Sequence, residues 1–175
     1  ATPTAGGTAA LSLTTAGGEL FYIGAGDITN NGAGNAFDAT QTGGSGSIRL
    51  NISGSIFAAT GSGVVVGDTT TSLGDISVTT GDVTALTAGR DGINVQTRSS
   101  TTDITVVANG DIRAGRFGIA GEIVLGASGT GDITITANGA IDAETGVSAF
   151  NAGSGATTVT TVGPVTTTTG NGIFA

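Results

Sequence analysis

The sequence contains no cysteine, no histidine and no lysine, and each absence excludes a kind of chemistry. The lack of cysteine excludes disulfides, thiolate metal ligands and a thiol nucleophile. The lack of histidine removes the base that takes the serine proton in a Ser-His-Asp protease, so that mechanism is excluded too. Five arginines stand against 13 acidic residues, which gives a net charge of −8. We therefore expect no nucleic-acid partner, because phosphate binding depends on clustered cations.

Long apolar segments are also missing from the sequence. No stretch reaches the roughly 18 consecutive apolar residues that a membrane helix needs, so we expect no membrane insertion of this segment. What is abundant is glycine, with 33 residues of 175, alongside 38% hydrophobic and only 10% charged residues. Because the hydrophobic residues are regularly spaced rather than scarce, the composition indicates an ordered core and not disorder.

A repeated unit explains this regular spacing. In its clearest copy, residues 131–150, apolar and polar residues alternate in three short runs that are separated by Asn-Gly and by glycine. Alternation with a period of two is typical of strands with one buried face. Copies begin at steps of 28, 28, 28, 29 and 24 residues. The first-strand anchors of these copies are Leu20, Ile48, Ile76, Ile104, Ile133 and Thr157.

Three short strands cannot bury themselves, so the repeats are expected to stack. Stacking at about 4.8 Å pairs each backbone amide with the next coil and aligns equivalent side chains in interior ladders. We predict an all-β, right-handed parallel β-helix (a β-solenoid) with three strands per coil and about six coils of 24–29 residues. A propeller with antiparallel blades is the alternative. Residues 1–19 are interpreted as a partial N-terminal coil and residues 20–175 as repeats of one segment, expected to be part of a longer chain.

The alignment predicts further interior positions. The second-strand anchors are Ile28, Ile56, Val83, Ile112, Ile141 and Val165, and the third-strand anchors are Ala36, Val64, Ile93, Ile119, Val147 and Ile173. Ala58, Ala85, Ala114 and Ala143 follow second-strand anchors by two residues and are expected to line the same sheet where the interior is narrow.

Units of the form G-D-I-x-[IV]-x-x-N-G-x-I-x-A followed by a G-[IV] strand, as in residues 131–149, resemble the passenger domains of bacterial autotransporters and related filamentous surface adhesins. The resemblance covers residues 20–175 and concerns repeat style and composition, which other secreted β-helices share. It implies an extracellular protein at the cell surface, anchored to the Gram-negative outer membrane through a part outside this sequence. It also implies a surface receptor or glycan of a host or neighbouring cell as the partner.

Aspartates recur at equivalent places in successive coils. Asp75, Asp103 and Asp132 precede first-strand anchors, while Asp82 and Asp111 precede second-strand anchors. Like charges about 5 Å apart repel, so something must offset them. One interpretation is an Asx-type turn, in which each carboxylate accepts a backbone amide where the chain bends into a strand. The other is a calcium ion bridging neighbouring coils through Asp75, Asp103 and Asp132. We favour turns, because the nonapeptide of calcium-binding β-rolls is missing.

A glycan-binding or glycan-cleaving enzyme domain is the alternative function, since polysaccharide lyases and pectin-cleaving hydrolases share the β-helix. Hydrolases need paired carboxylates, and lyases need a strong base beside a metal. Arg113 and Arg116 lie near Asp111 in one coil, and their convergence in one groove would favour an enzyme. We interpret the arginines as solvated surface charge. No catalytic or cofactor-binding residue is predicted.

Threonine runs suggest a third class, binding to ice or another crystal surface through a flat array of hydroxyl groups. Such an array needs the same outward pair of threonines in every coil. The equivalents of Thr134 and Thr136 in other coils are Ser77 and Thr79, Thr105 and Val107, and Arg49 and Asn51. Because these pairs break the regularity, we interpret the threonines as strand formers on a hydrated face.

The sequence therefore predicts a non-catalytic structural or adhesive segment of a secreted or surface-displayed bacterial protein. It would form a stiff rod for cell-surface attachment or filament assembly. Unpaired strand edges at the two terminal coils would allow head-to-tail self-association, because heterologous contacts of this kind do not close.

Overall fold

A computed structural model of the chain describes residues 7–68, 74–124 and 129–175, and all regular structure in these residues is β-strand. In chain order the strands are β1 Leu11–Thr15, β2 Leu20–Gly24, β3 Ile28–Asn30, β4 Phe37–Gln41, β5 Ile48–Ile52, β6 Ile56–Ala58, β7 Val64–Asp68, β8 Ile76–Thr80, β9 Val83–Ala85, β10 Ile93–Thr97, β11 Ile104–Ala108, β12 Ile112–Ala114, β13 Phe117–Ile123, β14 Ile133–Ala137, β15 Ile141–Ala143, β16 Thr145–Asn151, β17 Thr157–Thr161, β18 Val165–Thr167 and β19 Ile173–Phe174.

The strands form three parallel sheets, because every third strand along the chain joins the same sheet. The first sheet runs β2-β5-β8-β11-β14-β17, the second β3-β6-β9-β12-β15-β18, and the third β1-β4-β7-β10-β13-β16-β19. Every pairing is parallel and joins strands one coil apart. The chain is therefore a β-solenoid of about six turns with three strands per coil, as the repeat predicts. The antiparallel blades of a propeller are excluded.

The register of the first sheet confirms the predicted alignment of the coils. Ile104 pairs with Ile76 on one side and with Ile133 on the other, and all three side chains are fully buried. Each such burial stabilises the fold by about 1.5 to 3 kcal/mol relative to an exposed side chain. The alanines predicted for the narrow part of the interior are also buried: Ala58, Ala85, Ala114 and Ala143.

The third sheet corrects one predicted anchor. Phe37, and not Ala36, pairs with Val64 in the next coil. Both Ala36 and Phe37 are fully buried, so apolar character does not distinguish them. Ala36 instead takes the position directly before the anchor, which glycine holds in the other five coils: Gly63, Gly92, Gly118, Gly146 and Gly172. Without a glycine at this place, the sequence gives no local mark of where the strand begins.

The N-terminal part of the described chain extends the solenoid by one strand. Strand β1 pairs with β4 and so belongs to the third sheet, ahead of the first full coil. The partial coil predicted for residues 1–19 includes residues 1–6, which lie outside the described residues. No helix occurs in the described ranges, and so none that would be long and apolar enough to cross a membrane.

Candidate functional site

The three aspartates considered as calcium ligands form hydrogen bonds between coils. Oδ1 of Asp75 accepts the backbone amide of Asp103 at 3.3 Å, and Oδ1 of Asp103 accepts the amide of Asp132 at 2.8 Å. Oδ1 of Asp132 in turn accepts the amide of Ala156 at 2.7 Å. The predicted acceptor role is thus observed, but each donor lies one coil further on and not in the same turn. A backbone N–H between successive carboxylates offsets part of their repulsion.

A second aspartate ladder lies where the chain enters the second sheet. Oδ1 of Asp82 accepts the amide of Asp111 at 2.8 Å, and Oδ1 of Asp111 accepts the amide of Ala140 at 2.8 Å. Sequence reasoning missed a third member, Asp27, whose Oδ1 accepts the amide of Ser55 at 2.9 Å. Its signal was present, because Asp27 directly precedes the second-strand anchor Ile28 just as Asp82 precedes Val83.

Calcium binding is the alternative to the turn interpretation for Asp75, Asp103 and Asp132 alone, and it stays a hypothesis to be tested. Within residues 7–68, 74–124 and 129–175, no three or more Asp, Glu, Cys or His side chains are grouped closely enough to hold a metal ion. One aspartate per coil lies directly before a strand of the first sheet in three successive coils: Asp75, Asp103 and Asp132.

The residues that would favour an enzyme are only partly brought together. Arg113 and Asp111 line a cleft of about 260 Å³ with Asp82 and Thr84, on the outer face of the second sheet. Arg116 does not line this cleft. In the cleft, both aspartates already use Oδ1 to bind the backbone of the following coil. The two carboxylates therefore serve the stacking of the coils.

Arg116 binds a buried carboxylate at the place where the chain enters the third sheet. Its Nε and terminal nitrogen donate to the two oxygens of Asp91 at 2.7 and 2.6 Å. Asp91 is only 2% exposed, and its Oδ2 also accepts the side-chain amide of Asn94 at 2.8 Å. The hydrogen bond with Asp91 raises the pKa of Arg116 further above its usual range, against the opposing effect of partial burial. The guanidinium also lies 4.7 Å from the ring centre of Phe117, a cation–π contact.

This ion pair was not predicted from the sequence, although the coil length contains the signal for it. Asp91 and Arg116 are 25 residues apart, and Ile93 pairs with Ile119 in the third sheet. These two isoleucines are 26 residues apart. The same step aligns Arg116 with Arg90, and Arg116 therefore lies next to Asp91, the residue after Arg90. The pair joins two successive coils.

The outer face of the first sheet carries a different set of residues in each coil. Its register aligns Thr105 with Ser77 and Thr134, and Val107 with Thr79 and Thr136, as predicted. One coil before Ser77 and Thr79 the equivalent positions hold Arg49 and Asn51, and in the first coil they hold Phe21 and Ile23. The hydroxyl array is therefore interrupted at these positions, and a second cleft, of about 210 Å³, lies among the first three coils.

Comparison of the chain with protein-family models, with curated proteins and with solved structures finds no match.

Proposed function

We propose that this chain is a non-catalytic structural or adhesive segment of a secreted or surface-displayed bacterial protein. In this proposal it contributes a stiff rod to cell-surface attachment or to a filament, and its partner is a surface receptor or glycan of another cell. The resemblance of its repeats to autotransporter passenger domains and filamentous adhesins supports the proposal, as does the solenoid architecture.

The observation that carries the proposal is the continuous pairing of coils in all three sheets. Ile104, for example, is hydrogen-bonded in register to the coils on both sides, and the second and third sheets do the same. Side-chain bonds add to these backbone ladders, because Asp103 and Asn109 each bind the next coil. A force across the coils is therefore shared among three sheets, which is what a rod needs.

Pulling the chain by its two ends in a single-molecule force experiment tests the mechanical part. We expect stepwise unfolding, with each lost coil of about 28 residues releasing about 95 Å of contour length. The physical reason is that each coil contacts only its neighbours, so coils are lost one after another. Smooth extension at low force would contradict the rod.

Bead adhesion tests the attachment part of the proposal. Beads coated with the folded chain are expected to be retained on cell layers more strongly than beads coated with the same chain after heat unfolding. Equal retention of both kinds of bead would contradict an adhesive role. Electron microscopy at high concentration separates the filament version, which requires end-to-end particles, from simple attachment.

The cleft on the second sheet favours a second candidate, a glycan-cleaving domain. Asp82 and Asp111 are one coil apart there and Arg113 lies beside them. Incubation with pectic and other acidic polysaccharides, followed by measurement of new reducing ends and unsaturated products, tests this candidate. Product formation that Asp111→Asn abolishes would establish the enzyme. We expect none, because both carboxylates are engaged in backbone hydrogen bonds.

A further inference from the structure

The first two coils differ from the later ones on the outer face of the first sheet. Phe21 and Ile23 of the first coil are 63% and 65% exposed, and the second coil holds Arg49 and Asn51 at the same positions. From the third coil onward these positions hold serine, threonine or valine. Exposure of a large apolar side chain to water is unfavourable compared with its burial, so a group of exposed apolar side chains often marks a binding surface. Here they stand directly beside polar side chains of the next two coils.

These residues line one shallow cleft of about 210 Å³. Its outward-pointing side chains are Phe21, Ile23, Arg49, Asn51, Ser77 and Thr79. Sites that enclose a drug-sized ligand have volumes of roughly 300 to 1,000 Å³. The cleft is therefore of a size for one small ring, with the rest of a longer ligand lying along the sheet.

The arginine of the cleft forms an exposed ion pair. Nε of Arg49 lies 3.3 Å from Oε1 of Glu19, and both side chains are well exposed. Such an exposed pair adds little to stability. The two terminal nitrogens of Arg49 make no ion pair within the described residues. Those nitrogens remain able to donate hydrogen bonds to a ligand oxygen.

The other polar groups of the cleft also face outward, without a partner among the described residues. The side chains of Asn51, Ser77 and Thr79 form no hydrogen bond to another described residue. Together they offer an amide, which both donates and accepts, and two hydroxyl groups. The cleft thus combines a flat apolar ring on one side with several donors and acceptors on the other.

We propose that this cleft binds one ring of a neutral saccharide. A pyranose ring has the same two-sided character: its axial C–H groups form an apolar face that packs on an aromatic ring, and its hydroxyl groups both donate and accept. Phe21 would cover the C–H face, while Arg49 and Asn51 would bind adjacent hydroxyls. The inference deepens the adhesive function proposed above and rests on it, since it names the ligand class and the contact surface.

The charges around the cleft favour a neutral sugar over an acidic one. The chain has a net charge of −8, and Glu19 offsets the charge of Arg49 at the cleft itself. The negative charge of the chain would repel the carboxylate of an acidic sugar and weaken its binding. A hydroxyl group of a neutral sugar can accept from Arg49 and donate to Glu19 at the same time.

Titration of the intact chain with maltotriose, cellotriose and lactose tests the inference, with trigalacturonic acid as the acidic probe. Amide NMR shifts are expected in residues 21–23, 49–51 and 77–79 for at least one neutral probe at millimolar concentration. Fluorescence gives a second signal, because Tyr22 borders the cleft and is the only tyrosine in a chain without tryptophan.

Two substitutions and two matched controls locate the site. Phe21→Ala and Arg49→Ala are each expected to weaken binding about tenfold or more, since central aromatic and arginine contacts dominate recognition. Phe150→Ala and Arg98→Ala change an exposed phenylalanine and an exposed arginine elsewhere and are expected to leave binding unchanged. All four side chains point outward, so circular dichroism should confirm that each variant stays folded.

Three results would overturn the saccharide site. These are the absence of shifts with every neutral probe, binding that Phe21→Ala does not weaken, and binding of trigalacturonic acid alone. Light scattering measures whether the chain self-associates. If the unsubstituted chain is associated and Phe21→Ala is monomeric, the cleft binds a second copy of this chain and not a saccharide. If bead adhesion persists in Phe21→Ala while no neutral probe binds, the saccharide site falls and the adhesive function stands. If beads coated with the unsubstituted, folded chain do not adhere to cells, the proposed adhesive function is contradicted.

Discussion

Oδ1 of Asp103 accepts the backbone amide of Asp132, the equivalent residue of the next coil, at 2.8 Å. The bond therefore links two coils through one carboxylate oxygen. Asp103→Ala removes the acceptor and is expected to lower the free energy of unfolding by about 0.5 to 1.5 kcal/mol. Asp103→Asn keeps an oxygen in the same place and should change stability by less than about 0.5 kcal/mol. Chemical denaturation measures both values, and equal losses would show that the charge matters and the acceptor does not.

The ion pair between Arg116 and Asp91 provides a second prediction. Arg116→Ala leaves a buried carboxylate without its charged partner and should cost about 1 to 3 kcal/mol. This is less than for a fully buried pair, because the arginine side chain is 44% exposed. Arg113→Ala, which breaks no ion pair of the described residues, is the matched control, with an expected cost below about 0.5 kcal/mol. Similar midpoints of thermal unfolding for the two variants would refute the structural role of Arg116.

The same pair predicts how stability depends on pH on the basic side. Asp91 raises the pKa of Arg116 in the folded chain. The stabilisation from the arginine is therefore complete below the pKa that Arg116 has in the unfolded chain, and it is lost only as the pH rises through the pKa of Arg116 in the folded chain. The difference in stability between the unsubstituted chain and Arg116→Ala should therefore stay constant from pH 7 to about pH 10. A decline within that interval, measured by denaturation, would mean that another group is responsible.

Ile104 lies in the middle of the predicted interior ladder and has no exposed surface. Ile104→Ala is expected to cost about 2 to 5 kcal/mol, because the coils above and below are held by three sheets and cannot collapse into the cavity. Its outward neighbour Thr105 supplies the control, and Thr105→Ala should cost less than about 1 kcal/mol. Urea unfolding of both variants makes the comparison, and a cost below 1 kcal/mol for Ile104→Ala would contradict a tightly packed interior.

A column of glycines lets the coils approach where the chain passes from the first to the second sheet. A Cβ atom at Gly139 would overlap the carbonyl of Gly110, whereas one at Gly26, in the first coil of the same column, would meet nothing within 4 Å. Gly139→Ala should therefore lower stability by about 1 to 4 kcal/mol, and Gly26→Ala by less than about 1 kcal/mol. Thermal unfolding of the pair tests this, and equal midpoints would show that the coils can move apart without cost.

Calcium is expected to leave stability unchanged. A ligand that binds the folded state raises the midpoint of unfolding by mass action. Asp75, Asp103 and Asp132 each already bind the backbone of the next coil. The thermal midpoint at several millimolar calcium should therefore equal the midpoint in a chelator. A rise that disappears in Asp103→Ala would establish the calcium site in place of a purely structural ladder.

Much of the fold is predictable because each coil repeats one short pattern. Ile76, Ile104 and Ile133 were placed in one ladder from their spacing alone, and the first-sheet register agrees residue by residue. The error at Ala36 has a local cause, since alanine replaces the glycine that marks the start of the strand in other coils. The Asp103 carboxylate was assigned the right kind of partner, but a single coil cannot show that the donor lies on its neighbour.

Alternation along a strand and the glycines between strands are local properties of the chain, so most of the side chains that point into the interior can be predicted from the residues alone. Which of the outward side chains contact each other became clear from the three-dimensional arrangement of the coils. Arg116 reaches Asp91, and Phe21 shares a cleft with Arg49 and Ser77. The first contact crosses a step of 25 residues and the second crosses steps of 28, so the length of the turns in each coil decides which side chains meet. That alignment is fixed by the stacking of all three sheets together and by no single stretch of sequence.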